Sequence, residues 1–189
     1  MIVYISLKSM KRICVFCGAH PGENRAYYEN AKCLGEFLVK ENFGLVYGGA
    51  NIGIMGEVAN SVLAQGGDVI GVITEHLMPI EGHTGLKDLR ILKNMHQRKA
   101  MMYELSDGFA VLPGGIGTLE EFFEILTWAQ LKFHTKPIGI LNTEGYYNRL
   151  IHFLHHIADE NFMHRQQLEL FFVADTPEIM IQKFKERIG

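Results

Sequence analysis

Short runs of apolar residues alternate along the chain with longer segments whose apolar residues recur at helical spacing. The runs are predicted strands and cover Lys11 to Cys17, Gly44 to Tyr47, Asp68 to Ile73, Gly108 to Leu112, Pro137 to Leu141 and Leu170 to Val173. Because these runs are continuously apolar, we expect strands that are buried on both faces. The alternation predicts an α/β fold: a Rossmann-like, doubly wound parallel sheet with helices on both faces.

The length of the chain, 189 residues, is typical of a single domain. The opening MIVYISLKSM has a short apolar piece, but it lacks a basic start and a small-residue cleavage site. A signal peptide is therefore not indicated. We predict a short leader at residues 1–10, a single domain at residues 11–189, and a cytoplasmic protein.

Composition excludes several classes of protein. The net charge is -3, and no cluster of lysine and arginine is present to bind nucleic acid. No apolar run approaches the roughly 20 residues that span a bilayer, so no membrane segment is expected. Two of the three cysteines, Cys14 and Cys17, form a C-x-x-C on a predicted strand. Positions three apart on a strand point to opposite faces, so we interpret both as buried structural thiols rather than a redox or metal pair.

Three glycine-rich turns each follow a predicted strand and open a predicted helix. They are FCGAHPG at 16–22, YGGANIGIMG at 47–56 and LPGGIGTLEE at 112–121. Glycine lets a ligand approach the backbone, and the free N–H groups and dipole of a helix start attract an anion. Glycine also serves in ordinary tight turns, but three such turns at the ligand-binding edge of one sheet favour a phosphate site.

Common phosphate-binding fingerprints do not match the third turn. It contains Gly115-x-Gly117, but Glu120 replaces the third glycine of the dinucleotide pattern, and the next strand ends in Leu141-Asn142 without a carboxylate. NAD is therefore not expected, and no P-loop sequence is present. These features predict a site for a single phosphate with carboxylates beside it.

The helix after this turn places Thr118 and Glu121 on one face. If Thr118 faces the phosphate, Glu121 faces the group to which the phosphate is attached. Glu120 lies on a neighbouring face, where a glutamate also simply favours the helix dipole.

A second polar group comes from the predicted helix KNMHQRKAMMYELS at 93–106, with Met95, Arg98 and Met102 on one stripe. An arginine on such a stripe must be paired or reach a cleft. Because the helix precedes the strand that ends in the third turn, we expect Arg98 to reach the cleft of Glu121, beside Lys99.

Together these motifs resemble the LOG family of cytokinin riboside 5′-monophosphate phosphoribohydrolases, formerly labelled lysine decarboxylases. The hallmark PGGxGTxxE is complete, and so is an M-x-x-R-K element. The matching residues are Pro113, Gly114, Gly115, Gly117, Thr118 and Glu121, with Met95, Arg98 and Lys99. Two departures are Ala50, where a third glycine is usual, and Ala19-His20, which replaces a small hydroxyl-bearing pair.

The resemblance implies hydrolysis of the N-glycosidic bond of an N6-modified adenosine 5′-monophosphate, which gives free base and ribose 5-phosphate without a cofactor. It implies catalytic roles for Glu121 and Arg98. It implies substrate binding by Gly48, Gly49, Met95, Lys99, Gly114, Gly115, Gly117 and Thr118. It also implies a homodimer.

Other readings stay open at this point. A non-catalytic carrier of a nucleotide or phosphorylated cofactor would need the same phosphate cradle, and a broader AMP nucleosidase would need the same catalytic pair. A pyridoxal phosphate decarboxylase is disfavoured because Lys99 is the one lysine near the proposed cleft. His152, His155 and His156 lie on one predicted helix, which we interpret as a solvated face rather than a metal site.

Overall fold

A computed structural model of the protein describes residues 10–188. The strands are β1 Lys11–Phe16, β2 Phe43–Tyr47, β3 Val69–Thr74, β4 Asp88–Leu92, β5 Gly108–Val111, β6 Ile138–Leu141 and β7 Phe171–Ala174. The helices are α1 Arg25–Lys40, α2 Gly53–Ala64, α3 Met78–Glu81, α4 Met95–Glu104, α5 Ile116–Gln130, α6 Asn148–Asp159 and α7 Pro177–Ile188. Short 3₁₀ helices cover Thr143–Gly145 and Arg165–Leu170.

The seven strands form one parallel sheet in the order β4-β3-β2-β1-β5-β6-β7. Helices α1, α2 and α7 pack on one face, where Leu34, Val58 and Phe184 are fully buried. Helices α4, α5 and α6 pack on the other face. The predicted doubly wound α/β fold is confirmed. Since the winding reverses at β1, the crevice between the carboxyl ends of β1 and β5 is the expected ligand site.

All six predicted strands are present, and each end lies within one residue of its predicted position. The seventh, β4, was not predicted. Among residues 10–188, its one partner is β3, at the edge of the sheet, and Arg90 and Ile91 are exposed. An edge strand tolerates charged residues such as Asp88 and Arg90, so it lacks the continuous apolar run that marks the central strands.

Cys14 and Cys17 lie on opposite faces of the sheet, each within a different hydrophobic cluster. Burial raises the pKa of both thiols well above the ordinary value. The predicted burial of the two thiols on opposite faces is confirmed.

Most of the predicted leader falls outside the described residues. Met10 is exposed, and β1 begins at the next residue. Among residues 10–188, the helices are all too short or too polar to cross a membrane.

Candidate active site

A cavity of about 470 Å³ opens at the carboxyl ends of β1 and β5, at the reversal point of the sheet. The turn after β1 supplies one wall and the turn after β5 supplies the other. Side chains from α2, α4 and α5 complete it. Among the predicted site residues, those that line it are Met95, Arg98, Gly114, Gly115, Gly117, Thr118 and Glu121.

The turn after β5 presents open space at two of its glycines. A Cβ atom added to Gly115 or Gly117 would meet no other atom within 4 Å. Gly115 is the N-cap residue of α5, so the first N–H groups of this helix have no partner within it. The exposed N–H groups and the positive end of the helix dipole therefore make an anion site on the cavity wall.

At Gly114, in contrast, a side chain has no room because neighbouring atoms pack against this residue. A Cβ there would collide with Thr118 Oγ1 and would lie 2.8 Å from the backbone nitrogen of Gly18. The absence of a side chain lets the turns after β1 and β5 touch, and it places the buried Thr118 hydroxyl beside the loop.

Arg98 and Glu121 form a buried ion pair at the floor of the cavity. Arg98 Nη1 donates to Glu121 Oε1 at 3.1 Å, and the two side chains are only 8% and 11% exposed. The guanidinium also donates from Nε to the carbonyl of Val72 at 2.9 Å and from Nη2 to the carbonyl of Gly48 at 3.4 Å. Three acceptors on three elements thus fix its plane.

Burial raises the pKa of the Glu121 carboxyl above its ordinary value, although the neighbouring Arg98 guanidinium opposes that shift. Its second oxygen, Oε2, accepts no hydrogen bond from residues 10–188. Since no side-chain oxygen among these residues is both buried and without a partner, Oε2 must be accessible from the cavity. One oxygen is therefore held by Arg98, and the other is available to water or to a ligand in the cavity.

Gly48 and Gly49, predicted to let substrate approach, do not line the cavity. A Cβ on Gly48 would collide with Arg98 Nη2 and would lie 2.9 Å from the sulfur of Met55. Gly49 has a φ of 76°, and a Cβ there would meet Ile73 at 3.0 Å. Gly48 makes room for the arginine, and Gly49 allows a turn that other residues rarely adopt.

Lys99, also predicted to bind substrate, does not itself line the cavity, although its partner Glu120 does. Its Nζ contacts the carboxylates of Glu120 and Glu124, the latter at 2.9 Å. Among the described residues, no lysine lines the cavity, so it offers no Schiff-base residue for pyridoxal phosphate.

Several lining residues were missed by sequence reasoning. Tyr27 of α1, Glu81 of α3 and Tyr146 after β6 reach the cavity from distant parts of the chain. Glu81 ends a four-residue helix, and both tyrosines lie outside the glycine-rich turns, so no local pattern marked them.

The histidine cluster lies away from this cavity. His152, His155 and His156 are exposed on α6, as expected for a solvated face. Within residues 10–188, no three histidine, cysteine or carboxylate side chains are grouped closely enough to hold a metal ion.

Comparison with known proteins agrees with these motifs. A sequence profile described as "Possible lysine decarboxylase" matches residues 55–184. The cytokinin riboside 5′-monophosphate phosphoribohydrolase LOG3 of Arabidopsis thaliana is 46% identical over 178 residues, which cover 93% of this chain and 82% of that protein. This chain belongs to the LOG family. A LOG-family relative from Rhodococcoides fascians, named a cytokinin riboside 5′-monophosphate phosphoribohydrolase, is 47% identical over 155 residues. The match covers 81% of this chain and 78% of the relative.

Solved structures support the fold of this LOG-family chain. The molybdenum cofactor binding protein from Rippkaea orientalis superimposes with a TM-score of 0.74 and covers 96% of this chain and 99% of that one. Its sequence identity is 21%, so the likeness shows a shared fold and carries no inference about ligand or activity.

Proposed function

We propose that this protein hydrolyses the N-glycosidic bond of adenosine 5′-monophosphates that are modified at N6, releasing the free cytokinin base and ribose 5-phosphate. The observation that carries the proposal is the buried pair of Arg98 and Glu121 beside an open, glycine-lined anion site. The relatives named phosphoribohydrolases support the same reaction.

The 5′-phosphate is placed on the N–H groups of Gly115 and Gly117 and on the Thr118 hydroxyl. Thr118 and Glu121 are one helical turn apart, so the ribose of a nucleotide held there extends over Glu121. Met95, which lines the cavity and is 42% exposed, offers an apolar surface for the base. The phosphate thus positions the anomeric carbon at the carboxylate.

Glu121 then acts on the transition state. Breaking the bond makes the ribose ring oxocarbenium-like, and a nearby carboxylate stabilises that positive charge. At a separation of about 4 Å and an effective dielectric near 20, the attraction is roughly 4 kcal/mol, or about three orders of magnitude in rate. The free oxygen Oε2 orients the water that attacks the anomeric carbon.

Arg98 contributes through its charge. Its guanidinium keeps a fixed position because it donates to carbonyl groups in β3 and in the turn after β2, and to Glu121. A permanently charged guanidinium is not an ordinary proton donor, so its role is to hold the carboxylate and to ease negative charge onto the departing base.

The remaining expectations belong to the same proposal. We infer one domain over residues 11–189 after a short leader, a cytoplasmic location and a homodimer. The exposed Ile116, between two glycines of the anion site, supports a subunit contact near the cavity. Sedimentation velocity tests the dimer, with a monomer at micromolar concentration as the contrary result.

The experiment that tests the activity is incubation of the purified protein with AMP and, separately, with N6-isopentenyl-AMP. Free base and ribose 5-phosphate are then quantified. We expect both products in equal amounts, with strong preference for the modified nucleotide. Comparable release from both substrates would indicate a general nucleosidase, and binding without cleavage would indicate a carrier.

A further inference from the structure

The four carbonyl groups before α5 are each held by a different donor. The Leu112 carbonyl accepts from the Tyr147 hydroxyl at 2.6 Å, and the Pro113 carbonyl accepts from the Gly18 nitrogen at 3.1 Å. The Gly114 carbonyl accepts from the Tyr146 hydroxyl at 2.7 Å. The Gly115 carbonyl accepts from the nitrogen of Leu119 at 3.1 Å.

The bond from Tyr146 sets the direction of one N–H group. In a trans peptide unit, the C=O and N–H bonds point in opposite directions, and the described chain has no cis peptide. When the Gly114 carbonyl is held by Tyr146, the N–H of Gly115 must point the other way. No main-chain hydrogen bond of a turn or loop in residues 10–188 uses that N–H, and Gly115 lines the cavity.

Tyr146 itself is held firmly. Its ring meets Tyr27 edge to face with centroids 5.4 Å apart, and it meets Tyr147 at 4.8 Å. The preceding turn is fixed by Asn142, whose side-chain oxygen accepts from the Tyr147 nitrogen at 2.8 Å. The hydroxyl is therefore presented by a braced ring rather than by a freely rotating side chain.

We propose that Tyr146 is a positioning residue for the phosphate site: its hydroxyl locks the Gly114–Gly115 peptide so that the Gly115 N–H faces the 5′-phosphate. This inference rests on the proposed function for the identity of the anion. Without the hydroxyl, the peptide rotates more freely, and the cradle must be ordered when the ligand binds.

The test compares Tyr146→Phe with the wild-type protein. Phenylalanine keeps the ring contacts with Tyr27 and removes only the hydroxyl. The matched control is Tyr28→Phe, because Tyr28 is also 41% exposed and does not line the cavity. Calorimetry measures the affinity for ribose 5-phosphate, which carries the phosphate, and for adenosine, which does not.

We expect Tyr146→Phe to weaken ribose 5-phosphate binding about three- to tenfold, the range of one net hydrogen bond. Adenosine binding should stay within about twofold, and KM should rise while kcat stays within about threefold. Unchanged affinity for ribose 5-phosphate would overturn the proposal. An equal loss for adenosine, or the same loss in Tyr28→Phe, would also overturn it.

Failure of this inference differs from failure of the proposed function. If the wild-type protein binds ribose 5-phosphate without cleaving any nucleotide, the proposed reaction is wrong, while the comparison of Tyr146→Phe with wild type still decides the role of Tyr146. If the wild-type protein cleaves N6-isopentenyl-AMP but does not bind ribose 5-phosphate, the proposed reaction stands and the inference about Tyr146 is overturned.

Discussion

Two sets of ion pairs join α4 to α5, and they differ in burial. Arg98 and Glu121 meet at the cavity floor with side chains that are 8% and 11% exposed. Lys99, the next residue on α4, has a side chain that is also 11% exposed, but its partners Glu120 and Glu124 on α5 are 50% and 24% exposed. The two sets therefore differ in their carboxylates, which are buried in one set and reach solvent in the other.

This difference in burial supports the catalytic role proposed for Arg98 and Glu121. An exposed pair contributes about 0–1 kcal/mol and mainly holds two helices together. A buried pair must offset the loss of solvation of both charges, so stability alone does not explain it. Arg98 meets that cost with three hydrogen bonds, and the Glu121 carboxylate keeps one oxygen free at the cavity.

Among the next four predictions, the largest effect is expected from filling the cavity beside the buried pair. In Gly117→Val, a branched side chain enters the cavity where a Cβ now meets no atom within 4 Å. We expect the affinity for AMP to fall by more than about 100-fold because the phosphate loses its place. Calorimetric titration measures this, and Thr127→Val, at an exposed position of α5 that does not line the cavity, is the matched control. Retained affinity would mean that the phosphate binds elsewhere.

A smaller effect is expected when the buried pair is disturbed without changing either member. In Gly48→Ala, the new methyl group collides with Arg98 Nη2, so the guanidinium must move from Glu121. We expect kcat to fall about tenfold, which corresponds to roughly 1.4 kcal/mol. The control is Gly85→Ala, where the nearest atom to the new Cβ is 3.4 Å away, an ordinary contact. A normal kcat in Gly48→Ala would show that the arginine's position is not critical.

The third prediction concerns pH. Because burial raises the pKa of Glu121 and the ionised form is required, activity should be lost on acidification at a pH above the ordinary glutamate value of about 4.3. The pH profile of kcat/KM measures this acid limb. An acid limb at or below the ordinary value, or one that persists in Glu121→Gln, would assign the titration to another group.

The smallest effect is expected at the surface pair. Glu120→Gln removes one of two carboxylates that contact Lys99, while Glu124 remains at 2.9 Å. Glu120 also lines the cavity, but solvent screens its half-exposed carboxylate, so we expect kcat and KM to stay within about twofold of wild type. Steady-state kinetics measures both. A tenfold fall in kcat would show that the Lys99 contacts matter to catalysis as much as the buried pair.

Much of the fold was readable from the sequence because its central strands are buried on both faces. Val46, Val72 and Ile140, for example, are fully buried and lie within continuous apolar runs. The edge strand β4 has one partner strand and exposed residues, so its sequence gave no such run.

The candidate site was predictable in its centre and not at its margins. Helical spacing alone indicates which helix face carries Arg98 and which carries Glu121. The structure brings the two side chains together. Lys99 was grouped with Arg98 because it is adjacent in sequence, but a helix turns by about 100° per residue, and this turns Lys99 toward Glu120 and Glu124. Tyr146 was missed because its contact with Gly114 spans 32 residues of sequence and depends on tertiary packing.

The most direct measurement of the central claim is the single-turnover rate of base release from N6-isopentenyl-AMP by Glu121→Gln, with enzyme in excess of substrate. With enzyme in excess, neither weakened substrate binding nor slow product release limits the observed rate. The buried-carboxylate mechanism predicts a rate at least about 100-fold below wild type with nucleotide affinity within about tenfold. A rate within about tenfold of wild type would contradict it and would place the chemistry on another group.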